Sequence, residues 1–159
     1  MVNSIREIET LLSAIPDPEI PVITIKELGI LRNVVNENGH YTVTITPTYT
    51  ACPAMGWIED QIKSKLSDNG ITDVEVKTTY TPAWTTDWIS ETAKQKLRSY
   101  GIAPPKHSSC VKSFGNEKTV CPHCGSNNTE VISQFGSTAC KALLKCKTCL
   151  EPFEQFKCH

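Results

Sequence analysis

Four of the eight cysteines in this 159-residue chain fall in two Cys-x-x-Cys pairs, Cys121/Cys124 and Cys146/Cys149. Each pair holds two thiolates on one tight turn. Two such turns facing each other supply four sulfurs in tetrahedral directions, as zinc or a single iron ion requires. The 21 residues between Cys124 and Cys146 are enough for a small antiparallel ribbon to return the chain. Gly125 suits the first knuckle, because a residue without Cβ can turn back and aim backbone N–H groups at sulfur. Leu150 holds that place in the second, which is less ideal. Disulfides or idle thiols are the alternative, and the double spacing favours metal. Four thiolates leave zinc no open position, so the expected role is a structural or docking one.

Cys52 stands apart from these. Pro53 suits a first helical position, which would make Cys52 the N-cap, where helix N–H groups and the positive dipole end favour thiolate. There it could be a nucleophile or a ligand that passes a metal or cluster along; the alternative is a small apolar side chain covering a sheet edge. Asp17 and Glu19 are held by Pro18 and Pro21 in a rigid turn, where they could cap a helix, meet a partner, lie near Cys52 or only shape the turn. Cys140, Cys158 and His159 are surplus in or beside the ribbon: extra ligands, a second site together with Cys110, or packing residues. His107 is expected to be solvated. Trp57, Trp84 and Trp88 fall near helix starts, where they line a groove by Cys52 or close the core. With no phosphate loop, catalytic triad or dinucleotide fingerprint, nothing indicates an independent enzyme.

The elements that must hold these residues read as α+β. Ile5, Ile8, Leu12 and Ile15 recur at helical spacing, with Asn3 or Ser4 as cap and Pro16 as stop. Two strands, Ile30 to Val35 and His40 to Thr46, flank Asn36-Glu37-Asn38-Gly39, a hairpin signature. A helix from Pro53 carries Ile58, Ile62 and Leu66 and ends at Asn69-Gly70. A strand over about Val74 to Thr79 follows, then a helix capped by Thr85 or Thr86 and striped by Ile89, Ala93, Leu97 and Tyr100. The expected organisation is a small two-layer α/β domain over 1–100, a linker over 101–118 and a zinc ribbon over 119–159. A ribbon that small draws much of its folding free energy from its metal.

Composition narrows the function classes. Sixteen basic and 17 acidic residues give a net charge of −1, which argues against a broad phosphate-binding surface. Residues 119–159 carry four lysines, three glutamates and no arginine, too little charge for a nucleic-acid ribbon. Met1 to Thr10 has the pattern of neither a signal peptide nor a membrane span, so a cytoplasmic setting is expected, in which cysteines serve as ligands or reactive thiols.

Two stretches carry a family resemblance. Asp17-Pro18-Glu19-Ile20-Pro21, Glu27-Leu28-Gly29 and Thr46-Pro47-Thr48-Tyr49 leading into Cys52-Pro53 resemble the metal-sulfur (iron-sulfur) cluster assembly domain. Cys121-Pro-His-Cys124-Gly-Ser, Phe135-Gly-Ser-Thr-Ala-Cys140-Lys-Ala, Cys146-x-x-Cys149, Glu151-Pro152-Phe153 and Phe156-Lys157-Cys158 resemble the D-component family of bacterial phenylacetyl-CoA 1,2-epoxidase (ring-hydroxylating monooxygenase) systems. The resemblance implies an accessory protein of aerobic phenylacetate degradation that helps to mature the oxygenase component or the iron-sulfur reductase and does not itself catalyse. It gives weight to Asp17, Glu19, Cys52 and Cys140, and implies transient iron or an iron-sulfur cluster beside structural zinc. Two other readings are a scaffold of the epoxidase complex and an iron-binding electron carrier.

Overall fold

A computed structural model describes residues 4–105 and 118–157 of the chain. It divides into two compact units, Met1–Trp84 and Thr85–His159.

The first unit is a two-layer α/β fold. Helix α1 (Ile5–Ser13) starts in a capping box: the Ser4 side chain accepts from the Glu7 N–H, and the Glu7 carboxylate accepts from the Ser4 N–H. Its stripe buries Ile8 and Leu12. Strands β1 (Leu31–Glu37) and β2 (His40–Ile45) form an antiparallel hairpin. The hairpin is tighter than the four-residue loop expected: Asn38 (φ 54°) and Gly39 (φ 95°) alone make the turn, the mirror-image geometry that the right-handed twist of strands prefers. On β2, Tyr41, Val43 and Ile45 are buried and Thr42 and Thr44 half-buried, as their alternation requires. Helix α2 (Ala54–Ser67) crosses over to β3 (Val74–Thr78), which lies parallel to β2 and completes the order β1-β2-β3. Ile58, Ile62 and Leu66 have no exposed surface, so this stripe faces the core.

The second unit holds more than a ribbon. A 3-10 turn over Thr86–Trp88, capped by Thr85, precedes helix α3 (Glu91–Tyr100), capped by Ser90. The expected helix start therefore splits in two, because Ile89 is extended and only Ser90 offers a hydroxyl to the N–H of Ala93. Gly101 ends α3 at φ 93°; the His123 ring lies against it, 3.2 Å from where a Cβ would stand. Strand β4 (Ile102–Ala103) comes next, in residues expected to open the linker. It pairs in parallel with β7 (Pro152–Phe156), which lies beside β6 (Lys141–Cys146) and β5 (Thr129–Ser133), in the order β4-β7-β6-β5. Helix α3 and β4 thus belong with the ribbon, since backbone pairing to β7 ties them there. Ala103, Cys121, Leu144, Cys146 and Phe153 form its core.

One loop of the ribbon is organised by an ion pair between a buried lysine and a half-buried glutamate. Lys141, 3% exposed, donates to Glu154 across 2.8 Å. The other Glu154 oxygen accepts from the Ser137 N–H, and a Cβ on Gly136 would run into that carboxylate. The stretch from Phe135 to Cys140 is wrapped on this carboxylate, which explains why it needs glycine there.

Candidate metal centre and thiol site

The four knuckle cysteines converge as their spacing predicts. Their Sγ atoms all lie within 4.8 Å of one another, with Cys121 and Cys149 3.7 Å apart and Cys124 and Cys146 3.6 Å apart. A tetrahedron with bonds of about 2.3 Å to sulfur has edges of about 3.8 Å, whereas a disulfide needs about 2.0 Å. The set fits one tetrahedral ion. Gly125 (φ 75°) and Leu150 (φ 67°) adopt the same left-handed conformation after the two knuckles, so Leu150 takes up the backbone strain that glycine avoids. The N–H groups of Cys149 and Thr148 aim at the Cys146 sulfur from 3.5 and 3.4 Å, and hold that thiol down at about 6. Cys149 receives an N–H from Glu151, yet burial and its three neighbouring thiols push it up to about 12. Thiols this close cannot all ionise unless a cation offsets their charge, so the donor set itself calls for a metal. The Ser126 and Thr148 hydroxyls, 2.8 Å apart, tie one knuckle to the other.

Cys140 stands outside this cluster. It is buried, with its sulfur 3.0 Å from the Thr138 hydroxyl. Cys110, Cys158, His159 and His107 lie outside the described residues.

In the first unit, the approach to α2 differs from expectation by one residue. Pro53 is the N-cap, with φ −70°, and Cys52 precedes it. Proline has no side-chain donor or acceptor, and the cap makes no side-chain hydrogen bond. The Cys52 sulfur is half-buried, with the Ala54 N–H and the Thr48 hydroxyl among the groups that favour its thiolate. The expected shift toward thiolate is reversed. Burial pushes the Cys52 thiol up, the Ala54 N–H opposes this, and the charges of Glu19 and Asp17 push it further up.

Asp17 is 4% exposed. One of its oxygens accepts the N–H groups of Glu19 and Ile20, both at 2.9 Å, while its own N–H donates to the Ile23 carbonyl. The carboxylate thus shapes the turn that carries Glu19. Thr48 was not singled out from the sequence as a site residue; its place four residues before Cys52, across a turn closed by the Cys52 N–H on the Tyr49 carbonyl, was the available signal. Thr46, two residues earlier, is 1% exposed, and its hydroxyl has no hydrogen-bond partner among the described residues. Of the tryptophans, Trp84 closes the core with its N–H on the Leu28 carbonyl at 2.9 Å, and Trp57 is 40% exposed on α2.

Comparison with known proteins agrees with this division. Residues 5–78 match the family described as iron-sulfur cluster assembly protein, and residues 105–157 match the PaaD zinc beta ribbon domain. An Escherichia coli (strain K12) protein, named as the D component of a putative 1,2-phenylacetyl-CoA epoxidase, is 49% identical over 154 residues, covering 97% of this chain and 93% of that one. A Porphyromonas gingivalis protein named "Fe-S protein maturation auxiliary factor" is 39% identical over 62 residues, 38% of this chain and 58% of its own. Among solved structures, a domain of unknown function, DUF59, from Bacillus anthracis superposes with a TM-score of 0.54 at 31% identity, covering 58% of this chain and 90% of that one. A conserved hypothetical protein from Thermotoga maritima, at 23% identity and a TM-score of 0.51, has the same fold over 60% of this chain and 94% of its own. Among the described residues no helix is long and apolar enough to cross a membrane.

Proposed function

Because the chain belongs to the family of the Escherichia coli epoxidase D component, we propose that it is an accessory protein that helps to mature a metal or iron-sulfur centre in the oxygenase or reductase components of a phenylacetyl-CoA epoxidase, without catalysing the epoxidation. Cys52 is the thiol that meets the cargo, Asp17 and Glu19 govern its charge state, and the four-cysteine ribbon holds zinc as a structural and docking module. What supports this reading is that the half-buried Cys52, whose ionisation is opposed by burial and by the charges of Glu19 and Asp17, stands with both carboxylates within residues matched to the iron-sulfur assembly family.

The electrostatics suit a transient holder. A thiol among carboxylates keeps its proton until a cation arrives, and the incoming metal then displaces that proton to solvent as the sulfur ligates it. A single thiol leaves the coordination sphere of a metal incomplete, so a client with more donors draws the cargo onward. The closed four-sulfur set of the ribbon has no such opening.

The test is co-expression of Cys52→Ser with the epoxidase components. The variant should fold and keep its ribbon metal, while iron in the client components and epoxidase activity fall severalfold. Unchanged client iron would remove the maturation role. A scaffold, in contrast, would be required in fixed stoichiometric amounts, whereas a maturation factor rescues activity at sub-stoichiometric amounts.

A further inference from the structure

The first knuckle also forms one wall of a cleft in the second unit. The cleft has a volume of about 550 Å³. On α3 it is lined by Glu91, Lys94, Gln95 and Arg98, and elsewhere by the buried Pro105 and Cys121 and the exposed Val120. Lys94 pairs with Glu91 at 2.7 Å, whereas among the described residues no carboxylate answers Arg98. The result is a cleft with a small apolar side, a carboxamide and one uncompensated guanidinium. A guanidinium offers five N–H donors in a planar fork that matches a carboxylate in bidentate fashion. Among the described residues the cleft has no aromatic side chain on which a base could stack, and the ribbon's low positive charge gives it no phosphate track.

We propose that this cleft docks a short, extended, acidic segment of a partner protein, with Arg98 gripping a carboxylate and Val120 and Pro105 covering an apolar neighbour of that residue. The site is separate from Cys52 and does not depend on the role given to that thiol.

The test uses the full-length, metal-loaded protein and two fluorescein-labelled twelve-residue peptides, one alternating glutamate with proline and the other lysine with proline, followed by anisotropy. The acidic peptide should bind at least tenfold tighter than the basic one and weaken as salt rises from 50 to 300 mM. Arg98→Glu should cost at least tenfold and Arg98→Lys much less, with metal content and circular dichroism confirming that each variant is folded. Lys63→Glu, on α2 in the first unit, should have no effect, and Cys52→Ser should bind like the parent, so that failure of this site and failure of the thiol reading come apart. Equal binding of the two peptides, an Arg98→Glu variant that binds as well as the parent, or competition by single-stranded oligonucleotide tighter than the acidic peptide would overturn the proposal.

Discussion

At the residue scale, the structure reverses the expected reactivity of Cys52. Had it capped the helix, the dipole would have favoured thiolate; one place earlier, burial and the charges of Glu19 and Asp17 keep the proton on sulfur. Alkylation of Cys52 by iodoacetamide at pH 7.5 should therefore be slower than that of a free cysteine, and its rate should climb only at a pH above the ordinary thiol range. Glu19→Gln removes one of the opposing charges, so it should speed alkylation severalfold and lower that midpoint. Asp17→Asn is a poorer probe, because the same carboxylate holds the turn through two backbone N–H groups. At the ribbon, Cys146→Ser should lose one zinc per chain by elemental analysis, while Cys52→Ser retains it. The clustering of the four ribbon cysteines was readable from the sequence because paired spacing implies geometry. Thr48 and the reach of Glu19 were not, since both depend on how the proline turn folds back toward α2.

At the element scale, periodic signals held where they were long. The stripe of α2 and the alternation of β2 bury the residues their periods select, whereas in the shorter α1 only Ile8 and Leu12 are buried, Ile5 is exposed and Ile15 lies beyond the helix end. Short elements escaped: a two-residue strand has no period, and β4 exists only because β7, about fifty residues later, offers it a backbone edge. The start of α3 was placed too early, at Thr85 or Thr86, because Thr85 does cap a helical turn, the 3-10 turn, while Ser90 caps α3 itself. The loop from Phe135 to Cys140 was legible as a motif, while its cause, the Lys141–Glu154 pair, required structure. Removing one partner of such a pair leaves an uncompensated buried charge, at a cost on the order of 3 kcal/mol. Glu154→Gln should therefore lower the melting temperature of the metal-loaded ribbon without changing its zinc content. Burial opposes the charge on Glu154, but Lys141 and the Ser137 N–H win and hold its carboxyl below the usual range. A depressed carboxylate stabilises above its unfolded value and loses that contribution as pH falls through the folded one. The parent should accordingly shed this contribution below about pH 4.5, so its melting temperature should fall more steeply there than that of Glu154→Gln.

At the scale of the whole molecule, two units with different sources of stability share one chain. The first has a conventional core under α1 and α2; the second has a core in which Cys121 and Cys146 are themselves members. Extraction of the ion by a strong chelator should strip hydrogen-exchange protection from β6 and β7 while the amides of β2 and α2 keep theirs. Loss of protection in both units together would contradict independent stability. The α+β class and the terminal ribbon were evident from residue patterns, but the extent of the second unit was not. Thr85 to Ala103 look, by composition, like the end of the first domain, and only strand pairing assigns them to the second.

That pairing bears on how the protein can be divided. The ribbon match begins at residue 105, immediately after β4. A fragment cut there discards the strand that shields the outer edge of β7 and leaves a row of unpaired backbone donors and acceptors beside Phe153 and Phe156. Bare edges of this kind recruit other chains, so the fragment should self-associate in sedimentation runs even with zinc bound. One that begins at Thr85 should stay monodisperse. What looks like a two-residue afterthought to a helix is the strand that covers the edge of β7.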